Sequence, residues 1–174
     1  MGDGNWWVAL VTGATALGAS WITTRGNARS VRVEAEVNAH ADHIAEARNR
    51  RRDAYRDLST AVHALSEVFW KMEVVDLSQT RAERVELIDQ MHVASRRCVS
   101  EVTRTSRDVC LEGPAAAAKA AGELGRRAVD THLLLIGLHD GTEETRSAYD
   151  DAYRGFTEQH VHFLDVARSA LEVS

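Results

Sequence analysis

Proline is almost absent from this sequence, since Pro114 is the single one among 174 residues. Proline ends or kinks a helix because its ring removes a backbone N–H donor and clashes with the preceding turn. A chain with so few interruptions can form long helices, and no segment shows the alternation of apolar and polar residues that is typical of a half-buried strand. The sequence therefore predicts an all-α fold.

Cysteine is also scarce. Cys98 and Cys110 are the two present, twelve residues apart and without a Cys-x-x-Cys motif. This spacing indicates neither a disulfide framework nor a zinc site. Two ordinary thiols are typical of a reducing compartment, so we expect the folded part of the chain to be cytoplasmic.

A surplus of basic charge is absent as well. The chain has 21 Lys and Arg against 26 Asp and Glu, and only Lys71 and Lys119 are lysines. Residues 140–174 hold eight acidic and three basic side chains, a difference that accounts for the whole formal net charge of −5. General nucleic-acid binding requires a clearly basic face. We therefore predict no direct nucleic-acid binding.

One stretch has no charged side chain at all, namely WWVALVTGATALGASWITT from Trp6 to Thr24. A helix of that length rises about 28 Å, close to the ~30 Å hydrocarbon core of a bilayer. Tryptophans stand at both ends and arginines follow, which is typical of a span whose C-terminal side is cytoplasmic. We predict that residues 1–25 are a single-pass anchor in the cell membrane, with the N-terminus outside. The residues assigned to this anchor are Trp6, Trp7, Trp21, Arg25 and Arg29.

Three other interpretations of this stretch fail on particular residues. A secretory signal peptide needs a basic n-region, which MGDGN lacks. N-myristoylation needs Ser or Thr where Trp6 stands. A dinucleotide-binding loop needs glycine where ALVTGATALGAS has Leu17 and Ala19. The stretch has few Leu and Ile residues, so an interfacial or assembly-dependent position stays open beside the span.

Small residues recur on one face of the predicted anchor. Ala9, Gly13, Ala16 and Ser20 follow at i, i+4, i+7 and i+11. Such a face lets helices approach closely in lipid. It predicts a homo-oligomer, or docking on another membrane helix, whereas the alternative is that Ala and Gly reflect a GC-rich genome.

A run of arginines divides the rest of the chain. We predict a helical stalk over residues 26–52 and a cytoplasmic bundle over residues 53–174. The stalk residues that keep a 3-4 spacing are Val33, Val37, His40, Ile44 and Ala47. The arginines, which we call the basic collar, are Arg48, Arg50, Arg51, Arg52 and Arg56. They could contact anionic lipid or nucleic acid. We favour a solvated collar that pairs with the nearby carboxylates of Glu46, Asp53 and Asp57.

The first two helices of the bundle carry apolar residues at helical spacing. The first helix has a strict heptad, which predicts a buried seam made of Tyr55, Leu58, Val62, Leu65, Phe69 and Met72. The second helix is predicted to open near Ser78. Its seam consists of Val85, Ile88, His92, Ser95, Val99, Val102, Ser106 and Val109.

Two further helices follow Gly113-Pro114, which is typical of a helix start. The third has an alanine-rich first half suited to close packing, and we expect residues 133–136 to lie in the core. Thr142 is predicted to cap the fourth helix. The face of that helix consists of Tyr149, Ala152, Phe156, His160, Phe163, Ala167 and Ala170. Four amphipathic helices with short connections predict an antiparallel four-helix bundle.

The side chains that could support catalysis or metal binding form no recognised pattern. The histidines with neighbouring carboxylates are His40 and His43 beside Asp42 and Glu46, and His160 and His162 beside Glu158. Neither set has the Glu-x-x-His repeats of di-iron bundles. We predict no metal site, no cofactor and no catalytic residues, and hence a protein that is not an enzyme.

Several motifs together carry a resemblance. A tryptophan-led short span, the TRGNAR segment, and RRRDAYRDL at the start of an amphipathic helix are similar to small actinobacterial membrane proteins of the KilB, or plasmid spread, type. The resemblance covers mainly residues 6–72. It implies a part in moving plasmid DNA between mycelial compartments, beside a DNA translocase, and it brings no catalytic residues.

We therefore expect a membrane-anchored helical scaffold or accessory protein, with plasmid spread as the specific hypothesis. Its partners would be the membrane, further copies of itself, and a membrane or DNA-translocase protein. One alternative is a membrane-perturbing effector, holin-like or a toxin, whose anchor clusters into a lesion. The other is a soluble helical binding module whose N-terminal helix packs on the bundle.

Overall fold

The computed structural model describes residues 6–78 and 80–172, with side chains for residues 34, 36–78, 80–139 and 141–172. In this part of the chain there is no strand. The elements are α1 (Trp6–Trp70), α2 (Met72–Asp76), α3 (Arg81–Glu112), α4 (Ala115–Gly137), a 3-10 turn (Leu138–Asp140) and α5 (Glu143–Glu172). Four helices are long and α2 is a short continuation after α1. The predicted all-α helical bundle is confirmed.

The chain divides into two compact units, residues 1–46 and residues 47–174. In the first unit the described side chains, residue 34 and residues 36–46, are all exposed. The second unit contains the remainder of α1 together with α2 to α5. It begins six residues before the predicted boundary at residue 53, so the whole basic collar belongs to the bundle unit.

The predicted anchor, residues 6–24, lies in the first part of α1, and its side chains are outside the described ones. The same is true of its boundary residues and of its small-residue face, which are Trp6, Trp7, Trp21, Arg25, Arg29, Ala9, Gly13, Ala16 and Ser20. Within the described residues, no helix combines the length and the apolar character that crossing a bilayer requires. The membrane span and self-association are therefore still predictions.

Aromatic rings join α1 to α5. The ring of Phe69 packs edge-on against Tyr149, Tyr153 and Phe156, with centroid distances of 6.2, 5.9 and 5.8 Å. Towards the start of the bundle, Tyr55 packs edge-on against Phe163 at 6.0 Å. Edge-to-face contacts of this kind stabilise the fold beyond the contribution that comes from burying the rings. The two helices run in opposite directions, because the order of contacts is reversed between them.

The seam predicted on the first bundle helix is confirmed. Its members are all buried, namely Tyr55, Leu58, Val62, Leu65, Phe69 and Met72. A heptad of this kind places every apolar residue on one stripe of the helix, which can then be covered by neighbouring helices. The spacing of the residues defines the stripe, and the packing of the other helices buries it.

Small residues bring α3 and α4 close together. A Cβ built on Gly125 would lie 3.2 Å from the Oγ of Ser106. The alanines at residues 117, 120 and 121 are buried, as the alanine-rich sequence predicted. Further along, Ser95 of α3 lies beside His132 of α4. These two contacts show that α3 and α4 are also antiparallel.

Side-chain caps define two helix starts. The Thr80 hydroxyl accepts a hydrogen bond from the Glu83 amide at 3.2 Å, while the Glu83 carboxylate accepts from the Thr80 amide at 3.2 Å. This capping box starts α3 at Arg81, so the predicted start near Ser78 is too early. The predicted cap Thr142 is confirmed, since its hydroxyl accepts from the Thr145 amide at 3.2 Å.

The prediction that residues 133–136 lie in the core is wrong for two of the four. Leu135 is fully buried and Leu134 is half-buried, but Leu133 is 58% exposed and Ile136 is 50% exposed. Consecutive residues of an α-helix are about 100° apart around its axis. Four apolar residues in a row therefore cannot all point to one side.

Candidate interaction surfaces

An open apolar depression lies between α2 and α3, and we call it the α2–α3 groove. It consists of two adjoining hollows of ≈ 400 and ≈ 300 Å³. The first is lined by Val74, Leu77, Ser78, Glu83, Glu86, Leu87 and Gln90, and the second by Lys71, Val74, Val75, Leu87, Gln90, Met91 and Ala94. Val74, Leu87 and Gln90 line both hollows, so the two hollows adjoin.

The apolar side chains of the groove are exposed at its edge. Val75 and Met91 are buried at its base, whereas Val74 is 53% exposed and Leu77 is 80% exposed. Trp70, which is 62% exposed, precedes Val74 by about one helical turn. Single exposed apolar residues are ordinary, but a cluster beside a concave surface is typical of an interaction site. The groove is therefore a candidate site for binding another protein.

Charge is distributed unevenly around the groove. Glu83 and Glu86 line the first hollow, and Lys71 lines the second. Both glutamates are exposed; Glu83 takes part in the capping box, and Glu86 accepts a hydrogen bond from the Gln90 side chain at 3.4 Å. Each carboxylate offers about four acceptor positions, so these bonds leave capacity for a ligand.

A separate hollow of ≈ 310 Å³, outside the α2–α3 groove, lies on the other side of α2. Its lining includes Asp76, Arg84, Gly141 and Arg146. Arg146 donates hydrogen bonds to Asp76 and, at 3.0 Å, to Asp150. The bond to Asp76 is the largest cause that raises the pKa of the Arg146 guanidinium. Because these charges are paired with one another, we assign this network to holding α2 against α5.

Within the basic collar, Arg48 and Arg50 contact the C-terminal ends of two helices. Arg48 donates a hydrogen bond to the carbonyl oxygen of Leu171, in the last turn of α5, at 3.0 Å. Arg50 lies 3.4 Å from the carboxylate of Glu112, the last residue of α3. A helix C-terminus has unpaired carbonyls and a partial negative charge, both of which favour a cation.

Arg56 and Arg51 also make contacts within α1. Arg56 lies 3.0 Å from Asp53 and 3.8 Å from Asp57, two of the carboxylates that the sequence indicated. Arg51 donates to the Ala47 carbonyl at 3.4 Å, and Arg52 is exposed. Part of the collar thus stabilises the bundle itself. The long-range contacts of Arg48 and Arg50 gave no signal in the sequence.

Two histidines stack between α3 and α4. The rings of His92 and His132 are 4.8 Å apart with an interplanar angle of 5°. The Nδ1 of His132 lies 2.8 Å from the Ser95 hydroxyl, which donates to the His92 carbonyl at 3.1 Å. Burial, and then the charges of His92 and Arg96, lower the pKa of His132.

The Ser95–His132 pair bridges α3 and α4. The Ser95 hydroxyl donates to the His92 carbonyl, and its role towards the Nδ1 of His132 depends on the tautomer of that histidine. Ser95 is also fully buried, out of reach of a substrate. We assign this pair to the packing of α3 on α4.

The sequence singled out four histidines as possible metal ligands. His40 and His43 are exposed in the first unit, His160 is half-buried, and His162 is exposed on α5. Among the described residues, no three His, Cys, Asp or Glu side chains are grouped as a metal site requires. Cys98 is half-buried and Cys110 is exposed, and both are free thiols.

The α2–α3 groove was not predicted from the sequence, although a signal was present. Trp70, Val74 and Leu77 follow at i, i+4 and i+7, beside the seam residues Phe69 and Met72 but outside their heptad. A second apolar stripe on one helix indicates a second contact surface.

The fold defines the class of this protein as an all-α helical bundle. Comparisons with protein-family models, curated proteins and solved structures give no match for the chain.

Proposed function

We propose that this chain is a membrane-anchored scaffold or accessory protein, without enzymatic activity, whose bundle binds a protein partner. The observation that carries the proposal is the α2–α3 groove, where Val74 and Leu77 are exposed at the edge of an apolar depression. A partner in the groove would remove this apolar surface from water, at roughly 25 cal/mol for each Å² buried.

The anchor is the second part of the proposal. Residues 1–25 would place the chain in the cell membrane with the N-terminus outside, and residues 26–52 would connect the anchor to a cytoplasmic bundle. The uncharged stretch between Trp6 and Thr24, with arginines after it, supports this topology. We expect the chain to stay in the membrane fraction during carbonate extraction and to be released by detergent. Release by carbonate alone would exclude an integral anchor.

The resemblance to plasmid spread proteins supplies the specific role. It supports a place beside a DNA translocase in the movement of plasmid DNA between mycelial compartments. The acidic formal charge of −5 favours a protein partner over direct contact with the DNA. Deleting the gene should then reduce plasmid spread while leaving plasmid replication unchanged.

Crosslinking in living cells tests the scaffold proposal directly. A photo-reactive amino acid replaces Leu77, at the groove, or Leu111, at the far end of α3. Leu111 is a matched control for Leu77, because the two leucines are 82% and 80% exposed. We expect position 77, and not position 111, to capture a membrane or DNA-handling protein. Capture of no protein from position 77 would contradict a scaffold that acts through this groove.

A further inference from the structure

We propose that the α2–α3 groove binds an amphipathic α-helix with basic side chains on the part of its flank that lies beside Glu83 and Glu86. This inference rests on the proposed function, because it names the class of partner for the same groove. It follows from three properties of the groove: what its walls are made of, how it is divided along its length, and how charge is placed around it.

The walls favour a helical ligand over an extended one. Most of the residues that line the groove belong to α2 and α3. The backbone groups in the interior of an α-helix are already hydrogen-bonded, so these walls offer an extended peptide no ladder of partners. A helix satisfies its own backbone and needs only side-chain packing from its binding site.

Two adjoining hollows can each take one apolar side chain of a ligand helix. The hollows adjoin at Val74 and Leu87, which line both. On one face of a helix, side chains three or four residues apart are neighbours, about 5–6 Å between their Cβ atoms. An apolar residue from each of two successive turns can therefore enter one hollow each, while Leu77 and Val74 pack beside them.

The charges specify the flank and the direction of the ligand. Glu83 and Glu86 line the first hollow and Lys71 lines the second. Arginine or lysine side chains on the ligand would lie beside the two glutamates, and the ligand would be neutral or acidic beside Lys71. Opposite charges at the rim of an interface increase the association rate and fix the register more than they increase affinity.

Peptide binding to the full chain in phosphatidylcholine nanodiscs tests this inference, with empty nanodiscs as the blank. The probe is a fluorescent amphipathic peptide of about 18 residues, five helical turns, with leucine at i, i+3, i+4 and i+7 and arginine on one flank of one half only. A second peptide has glutamate in place of each arginine. We expect the arginine peptide to bind about tenfold more tightly, a difference that decreases as salt screens the rim charges.

Paired variants locate the binding to the groove. Leu77→Glu should abolish binding of the arginine peptide, and Glu86→Arg should reverse the preference between the two peptides. Leu111→Glu on α3 and Glu158→Arg on α5 repeat these changes at exposed positions away from the groove and should have no effect. Circular dichroism confirms that each variant is folded. Equal binding of both peptides, or binding unaffected by Leu77→Glu, would overturn the inference.

The outcome can be separated from that of the scaffold proposal. If position 77 captures a partner in cells, mass spectrometry identifies the crosslinked segment, and a basic amphipathic helix supports the inference. An acidic or extended segment, or a second copy of this chain, overturns the inference and leaves the scaffold proposal in place. Capture of nothing from position 77 contradicts the scaffold proposal itself.

Discussion

Gly125 of α4 lies against Ser106 of α3 so closely that a Cβ at residue 125 would be 3.2 Å from the serine Oγ. Three residues earlier on the same helix, a Cβ on Gly122 would meet no atom within 4 Å. The two glycines therefore have different roles. One allows two helices to approach, and the other leaves the helix without a side chain at an open position.

We expect Gly122→Ala to stabilise the protein by roughly 0.5–1 kcal/mol, because alanine has the higher helix propensity. Gly125→Ala gains the same propensity but crowds Ser106, and overpacking costs about 1–3 kcal/mol. The free energy of unfolding, measured in urea for both variants, should therefore be higher for Gly122→Ala. Equal stabilisation by the two changes would contradict the close contact between α3 and α4.

The contact between Arg48 and the Leu171 carbonyl should hold the end of α5. We expect Arg48→Ala to cost about 0.5 kcal/mol, since hydrogen bonds and ion pairs at an exposed site are weak. Hydrogen exchange should accelerate in the last turn of α5 and not elsewhere in that helix. Arg52→Ala removes the same kind of side chain from another exposed position of the collar and should leave this turn unchanged.

Acid should destabilise the bundle through His132 and His160. Burial, followed by the charges of His92 and Arg96 for His132 and of His63 for His160, lowers both pKa values from the ordinary 6.5. The unfolded chain then binds protons that the folded chain does not, so stability is lost as the pH decreases through 6.5.

The free energy of unfolding should therefore decrease between about pH 8 and about pH 5.5, the range in which histidine titrates. His132→Gln should make this dependence shallower. His40→Gln, at an exposed position in the first unit, should not change it. A pH dependence that is the same in all three proteins would exclude His132 as its source.

The small-residue face of the proposed anchor gives a prediction about self-association. We expect Gly13→Leu and Ala16→Leu together to reduce crosslinked oligomers of the full chain, because larger side chains keep helices apart in lipid. Leu10→Val is the control, since it changes the anchor outside this face. Undiminished oligomers in the double variant would rule out assembly through these residues.

Local features were predictable because they depend on neighbours in sequence. The heptad from Tyr55 to Met72 predicted a buried seam, and the cap at Thr142 predicted a helix start. Hydrophobic periodicity and capping act within one or two turns of helix. The prediction that residues 133–136 lie in the core failed because it rested on composition. Without periodicity, composition cannot say which of four leucine or isoleucine side chains faces inward.

The candidate site was not predictable in the same way. The α2–α3 groove exists because α2 ends at Asp76 and α3 begins only at Arg81, after the capping box at Thr80. The packing of these helices leaves Val74 and Leu77 uncovered while burying Val75 and Met91. Which apolar side chain stays exposed depends on the positions of two helices in space.

The sequence by itself determined that this protein is helical, which stripe of its first bundle helix is buried, and where the cap of α5 lies. The tertiary structure decided which helix ends lie next to which parts of other helices. Arg48 and Leu171 are 123 residues apart in sequence, and they come into contact only because α1 and α5 are antiparallel. Helix formation depends on local spacing, whereas grooves and long-range pairs arise when separate helices pack and leave part of their surface uncovered.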